Sequence, residues 1–369
     1  MESPAAMASP VLRAALRWPG GALQSCLLRR LLRCLMRCLL PCLLPLAAAG
    51  APEAASAPAG SDARVWLARI HSAASSGNYL GTMVFSVGGT MSSSRVGHYA
   101  VGDQTYEHLE ALDGRQQRVL RHNDIVHTLW PQARVAVIER RETLAAWSTT
   151  PQEVDPQALD QYEFRREGSA RLAGRDAAVI LLEPRDALRY AQRLWADMAT
   201  GLMLRADVLG AAAAPGGERA VLESTAFSEI AIGIKPQPDT VLQEIRNPRK
   251  LDGYRVVRPQ QQRTALEAEG WTLPRPVPGF KLSGCVRRGM DTAGDDEPVL
   301  QAVFTDGLTH VSLFVEPFKP KRHRSEMQAR QGATGTLMQR RGDYWVTVVG
   351  DVPPNTLKLF VDVLERRKP

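Results

Sequence analysis

From Tyr79 onward the sequence repeats every two residues. Met83, Phe85 and Val87 alternate with Thr82, Val84 and Ser86, Gly88-Gly89 marks a hairpin turn, and residues 96–101 run back. Further runs follow at 105–112, 117–121, 125–130 and 134–140, with turn signals at Asp113-Gly114 and Asn123-Asp124. A period of two sends successive side chains to opposite faces of a strand, and short strands joined by tight turns pair with their neighbours antiparallel. The fold is therefore expected to be mainly β, built on a long antiparallel meander.

The period resumes after a polar connection at 151–161, where a short helix from Pro156 is expected. Leu172-Ala173-Gly174-Arg175 reads as a turn, and residues 177–182 form a strand apolar on both faces, which requires cover on both sides. RYAQRLWADMATGLMLRADVL, residues 189–209, has two readings. As a helix it would carry Asp197 and Asp207 as a carboxylate pair, but it would run through Thr200-Gly201 and has no clean starting cap. As a hairpin it sets Tyr190, Leu194 and Ala196 on one face and Arg189, Arg193 and Trp195 on the other, and Asp197 opens the turn by bonding its own backbone. The neighbouring strands favour the hairpin. AAAAPGGE, residues 211–218, is another hairpin tip, followed by a last strand at 220–230.

A helix precedes the meander, with Ser61 or Asp62 as N-cap, Trp66, Ile70 and Ala73 on one face, and Gly77-Asn78 as its stop. Beyond Ile234 prolines accumulate at 236, 238, 248, 259, 274, 276 and 278, which reads as a linker ending near WTLPRPVPGF. A second, small α+β domain follows. Its expected strands are 299–305, 309–315, 335–339 and 344–349, and Pro353-Pro354-Asn355 opens a helix with Leu357, Phe360, Val361 and Leu364 on one face. The expected layout is a first domain at 62–235, a linker at 236–263 and a second domain at 264–369.

Residues 1–49 read as an export signal. Arg33 and Arg37 precede the apolar run CLLPCLLPL, and Ala47-Ala48-Ala49 supplies small residues for cleavage. The run is too short to span a bilayer and is broken by Pro41 and Pro45. Met36 starts a compact signal of its own, so the residues before it read as an upstream extension. Four of the five cysteines, Cys26, Cys34, Cys38 and Cys42, lie in this part, leaving Cys285 and hence no internal disulfide. Of 46 Lys+Arg and 39 Asp+Glu, residues 1–49 hold six Arg and one Glu, so the remainder carries 40 against 38 and the apparent +7 falls to +2. That balance gives nucleic-acid binding no general support.

The sequence contains no nucleophile elbow, no HExxH, no CxxC and no glycine-rich phosphate loop, so neither an enzyme nor a cofactor is expected. His98, His108, His122 and His127 recur in the meander, yet none has a carboxylate at a ligand-like spacing. Asp295-Asp296 reads as a loop and Glu139 with Glu142 as a solvated strand end. A large sheet without catalytic groups can still bind through an apolar face. Phe85, Trp130, Trp195, Met203 and Leu204 are the candidates for a lipid or ligand face, with packed core as the competing reading. In KPKRHR, residues 319–324, the cations Lys319, Lys321, Arg322 and Arg324 are candidates for an anionic partner, with a solvated loop as the alternative.

Six pieces occur in one order: NYLGTMVF after the first helix, LEALDGRQQRVLR, RLAGRDAAVILLEPRDALRYAQRLWADMATGLMLRADVL, PGF after the linker, FTDGLTHVSLFVE, and VVGDVPPNT before the last helix. Together they resemble the RseB/MucB family of periplasmic regulators of the envelope-stress sigma factor sigma-E, over nearly all of residues 62–367. The resemblance implies a large antiparallel unclosed β-barrel, similar in shape to lipoprotein carriers, followed by a small α+β domain. It further implies a periplasmic negative regulator that binds the periplasmic domain of a membrane anti-sigma factor and shields it from regulated proteolysis. Lipopolysaccharide or lipoprotein acyl chains would release that protection, with the half-barrel as sensor and the linker and second domain supplying most of the partner contact. No short site motif comes with the resemblance, and homo-oligomerisation stays open. The alternatives are a periplasmic lipoprotein or lipid carrier or chaperone without a regulatory role and, more remotely, a hydrolase.

Overall fold

The computed structural model describes residues 59–140, 158–212, 217–247, 251–289 and 298–367. The leader at 1–49, Pro156, the hairpin tip at 213–216, Glu142 and Asp295-Asp296 lie outside the described residues. Two antiparallel-dominated sheets, one of twelve strands and one of seven, carry the structure.

The meander forms as its period of two requires. Strands β1 (Tyr79–Val87), β2 (Thr90–Val101), β3 (Gln104–Ala111), β4 (Arg118–His122), β5 (Ile125–Trp130) and β6 (Val135–Arg140) pair in sequence order. The second run supplies β7 (Tyr162–Leu172), β8 (Arg175–Pro184), β9 (Ala191–Asp197), β10 (Met203–Ala212) and β11 (Arg219–Ile232). The runs join where β1 pairs with β11, from Tyr79 opposite Ile232 to Val87 opposite Glu223. A parallel strand, β12 (Arg255–Val257), extends the far edge beside β6. The order runs from β12 to β7 without the two ends meeting, so the sheet is an unclosed barrel.

Segment 189–209 is the hairpin β9–β10. Asp197 accepts Thr200 N at 2.8 Å and Thr200 Oγ1 at 2.7 Å, and its carbonyl accepts Gly201 N at 2.8 Å, which is how an aspartate opens a turn. The strand at 177–182 is buried at every residue, covered on both faces as its composition demands.

The helices lie on opposite faces of the large sheet. Helix α1 (Ala59–Ser76) presses Trp66, Leu67 and Ile70 onto Ala178, Ile180, Leu194 and Met203. Helix α2 (Asp239–Arg246) brings Val241, Leu242 and Ile245 to Tyr99, Tyr106, Leu120 and Leu129. Cross-strand partners share a face. The chain of partners Ile180, Leu194, Ala206, Thr225, Phe85 therefore puts Phe85 on the α1 face, whereas Tyr99 and Tyr106 occupy the other. Helix α2 and β12 fall within the segment expected to be linker. Its prolines bracket structure instead of preventing it: Pro238 occupies the cap position of α2, and DTVLQEIR carries an apolar stripe.

The smaller sheet orders β13 (Gln261–Arg263), β15 (Lys281–Arg288), β16 (Val299–Thr305), β17 (His310–Pro317), β20 (Tyr344–Gly350), β19 (Thr334–Arg341) and β18 (Met327–Gln331). A separate two-strand ladder pairs β14 (Trp271–Thr272), between β13 and β15 in the chain, with β21 (Glu365–Arg366) near the C-terminus. Helix α3 (Pro354–Val363) lays Leu357, Phe360 and Val361 on the apolar residues of β16, β17 and β20, such as Phe304, Leu313 and Val348. The four expected strands and the last helix form. Strands β15 and β18 carry no clear alternation, KLSGCVRR and MQARQ, and only pairing with neighbours makes them strands.

Candidate functional site

Among the described residues, the second domain touches the large sheet at three separated places, all on the α1 face or its rim. At β6, Glu139 Oε2 accepts Arg288 Nη2 at 2.9 Å. Near the ends of β1 and β11, the β18–β19 turn is so close that a side-chain carbon on Gly332 would lie 2.2 Å from Val87 Cγ2 and 3.4 Å from Glu223 Oε2. At β7–β9, Leu308 packs into the cluster beneath α1, while Leu188 packs reciprocally into the core of the second domain. The smaller domain thus spans the open sheet from its sixth strand to its seventh.

The third contact holds a buried ionic knot. Arg189 and Asp306 have side chains with 0 % exposure, and Arg189 Nε donates to Asp306 Oδ2 at 2.6 Å. Tyr162 Oη donates to the same Oδ2 at 3.0 Å. Burial first, and then the Asp306 charge, push the Tyr162 hydroxyl well above its ordinary range, so it stays a donor. The remaining guanidinium nitrogens bind Asp186 and, at 2.7 Å, Pro278 O, and the guanidinium stands 4.8 Å over the Phe280 ring. Gly279 fits between them at φ +76°, where a Cβ would fall 2.0 Å from Arg189 Nη2. Thr356 Oγ1, in the first turn of α3, donates to Leu188 O at 2.9 Å. Each of the three guanidinium nitrogens has an acceptor, as a buried charge requires. PGF, TDGLT, PPNT and PRDALRY, far apart in sequence, meet here as one junction. No pattern of spacing could reveal it, because the partners are up to 168 residues apart.

Away from α1, the same face of β1–β6 carries apolar side chains with incomplete cover. Met83, Phe85, Leu109 and Trp130 are half-buried. Val119 and Val126 form a small cluster with Leu109, and Glu139 with its arginine borders it. Phe85 and Trp130 therefore share the face that the second domain bridges. Met203 is buried beneath α1, and Leu204 is buried at the register irregularity of β10. Trp195 points to the opposite face, where it pairs with Val179 and Arg205, and the Arg205 guanidinium stacks 4.5 Å from its ring. Five residues grouped on size alone are thus divided by register between a half-covered face, a packed core and the reverse side.

The basic run also divides. Arg322 Nη1 lies 3.4 Å from Glu316, and His323 is buried, stacked on Trp345 at 4.8 Å and accepting Lys319 N at 3.0 Å. Burial lowers the His323 pKa, so the ring acts as a structural acceptor. Lys321 and Arg324 are exposed.

Among the described residues, no group of three or more His, Cys, Asp or Glu could hold a metal ion. His98 Nδ1 donates to Gly77 O at 2.6 Å, and His122 Nε2 contacts Gln104 Oε1 at 2.9 Å, while His108 and His122 face away from His98. Buried Asp197 and Asp207 are each held by an arginine, Arg175 at 2.7 Å and Arg205 at 2.7 Å. Burial pushes the Asp197 carboxyl up, but bonds from Arg175 and Thr200 outweigh it and leave the pKa below its ordinary value.

An apolar sheet face spanned by a second domain, with its buried charges committed to structure, defines a two-domain binding protein. Residues 62–245 match the MucB/RseB N-terminal domain and residues 265–365 the MucB/RseB C-terminal domain. The chain belongs to the MucB/RseB family, a regulatory and not an enzymatic family. It is 28% identical over 316 residues to the sigma factor AlgU regulatory protein MucB of Pseudomonas aeruginosa, covering 83% of this chain and 92% of that one. It is 25% identical over 290 residues to the sigma-E factor regulatory protein RseB of Haemophilus influenzae, covering 79% and 87%. Among solved structures, the MucA/MucB complex of Pseudomonas aeruginosa aligns with a TM-score of 0.61 and 27% identity, over 84% of this chain and 100% of that chain. A crystal structure of MucB in complex with MucA(peri) aligns with a TM-score of 0.59 and 26% identity, again over 84% and 100%.

Proposed function

We propose that this protein is an exported, periplasmic negative regulator of a sigma-E-type envelope-stress response. It binds the periplasmic domain of a membrane anti-sigma factor and shields that domain from regulated proteolysis. The observation that carries this reading is the likeness, at 26% identity over 84% of this chain, to a MucB solved with MucA(peri). The α1 face of β1–β6 acts as the stress sensor. Acyl chains of lipopolysaccharide or mislocalised lipoprotein occupy the space beside Phe85, Leu109 and Trp130, whose half-burial supports this role. Because the second domain spans that face, a ligand there prefers a different domain arrangement from the one that holds the partner. It releases the partner by its difference in affinity between the two states.

The test is a proteolysis-protection assay with the periplasmic domain of the cognate anti-sigma factor. Protection is expected with the full exported chain and is lost on titration with lipopolysaccharide. Failure to bind or protect the anti-sigma domain, together with co-purifying lipid, would establish a carrier instead.

A further inference from the structure

The seven-stranded sheet ends at β18, and among the described residues nothing pairs with its outer side. MQARQ contains neither proline nor glycine, and its register against β19 runs unbroken from Met327 opposite Met338 to Gln331 opposite Thr334. A regular edge of this kind leaves a row of backbone N–H and C=O groups open to another strand, and proteins ordinarily blunt it with a bulge or make it very short. The other edges here are blunted in those ways. Strand β7 breaks register between Arg166 and Gly168, while β12 and β13 have three residues each.

Exposed cations precede this strand and lie on it. Lys321, Arg324 and Arg330 are exposed, and no ion pair engages them among the described residues. The one acidic group at the start of the strand, Glu326, already accepts Arg340 N at 3.1 Å. The loop presenting Lys321 and Arg324 is fixed from within by the His323–Trp345 stack, with the Arg340 guanidinium 4.1 Å over Phe318. At the far end of β18, Arg330 borders a crevice of about 360 Å³ formed with Gly88, Gly89, Val221 and Leu222, in which Val221 is 50% exposed.

We propose that the outer edge of β18 docks an extended acidic segment of a protein partner. The segment adds as an eighth strand, sets its carboxylates against Lys321, Arg324 and Arg330, and sends one apolar side chain toward Val221 and Leu222. This deepens the proposed function and rests on it for the partner's identity, the periplasmic domain of the anti-sigma factor. A polypeptide suits the edge better than anionic lipid headgroups do, because only a second backbone offers donors and acceptors at the spacing of a strand.

Hydrogen exchange of the full exported chain, with and without the anti-sigma periplasmic domain, tests the edge directly. Amides in 327–331 are expected to gain protection in the complex. Charge reversal of the three cations, K321E with R324E and R330E, should weaken binding at least tenfold at low salt and flatten its salt dependence. Binding that persists with unchanged exchange in 327–331 and unchanged affinity in the triple variant overturns the edge and leaves the regulator standing. No binding by the unaltered chain overturns both. If the triple variant loses only its binding to vesicles of anionic phospholipid, while partner affinity and exchange in 327–331 match the unaltered chain, the cations serve a lipid surface and the proposal is wrong.

Discussion

Arg189 in the β8–β9 connection and Asp306 in the β16–β17 connection, 117 residues apart, share a 2.6 Å bond between fully buried side chains. Replacing Arg189 by alanine leaves buried Asp306 without its cation, held only by Tyr162 and the backbone N–H groups of Leu308 and Thr309. A loss of about 3–5 kcal/mol in urea unfolding is expected, since removing one partner of a buried pair strands the other. A loss below about 1 kcal/mol would show the pair to be no more than a surface-grade contact.

Gly279 faces the same guanidinium. G279A adds both a left-handed backbone strain at φ +76° and a carbon 2.0 Å from Arg189 Nη2. G102A adds strain at φ +62° with nothing within 4 Å. The second variant should lose about 1–2 kcal/mol from the backbone alone, and the first clearly more. Equal losses would mean that the arginine moves aside without cost.

The domain seam at Glu223 makes stability depend on pH. Burial first, then the Asp351 charge, raise this carboxyl from 4.5 to about 7, against a lowering bond from Ala333. A raised carboxyl pKa favours the protonated folded form. The contribution is therefore fully present below about pH 4.5, falls as pH rises through the window to 7, and stays lost above it. E223Q should remove that decline, measured as denaturation midpoint against pH between 4.5 and 7.5. The two profiles running parallel would place the titration elsewhere.

Ligand binding should follow the faces that register assigns. W130A and F85E are expected to weaken lipopolysaccharide binding about tenfold or more, on the scale of losing a buried aromatic side chain. W195F, changed on the reverse side under Arg205, should bind as the unaltered protein does. A calorimetric titration in which W195F alone weakens binding would reverse the assignment.

Much of the architecture was legible because it rests on local periodicity. The hairpin at 189–209, the doubly buried strand at 177–182 and the last helix formed where their patterns lay. Strands β15 and β18 escaped notice, since their side chains alternate weakly and their neighbours supply the pairing. Proline frequency does not distinguish a linker from 239–257, where prolines frame α2 and the segment then returns to β6. For the candidate site, large apolar residues could be named, but size does not say which way a strand is turned.

By itself the sequence determined the period-two strands, their turns, the two-domain order and a family resemblance, because each depends on residues within a few positions of one another. Only the tertiary structure decided that Phe85 and Trp130 share a face that Trp195 does not, since a side chain's face follows from the register of successive strand pairs. The same holds for the knot of Arg189, Asp306, Tyr162 and Pro278 O, whose charges are tolerable only where folding brings each guanidinium nitrogen to an acceptor.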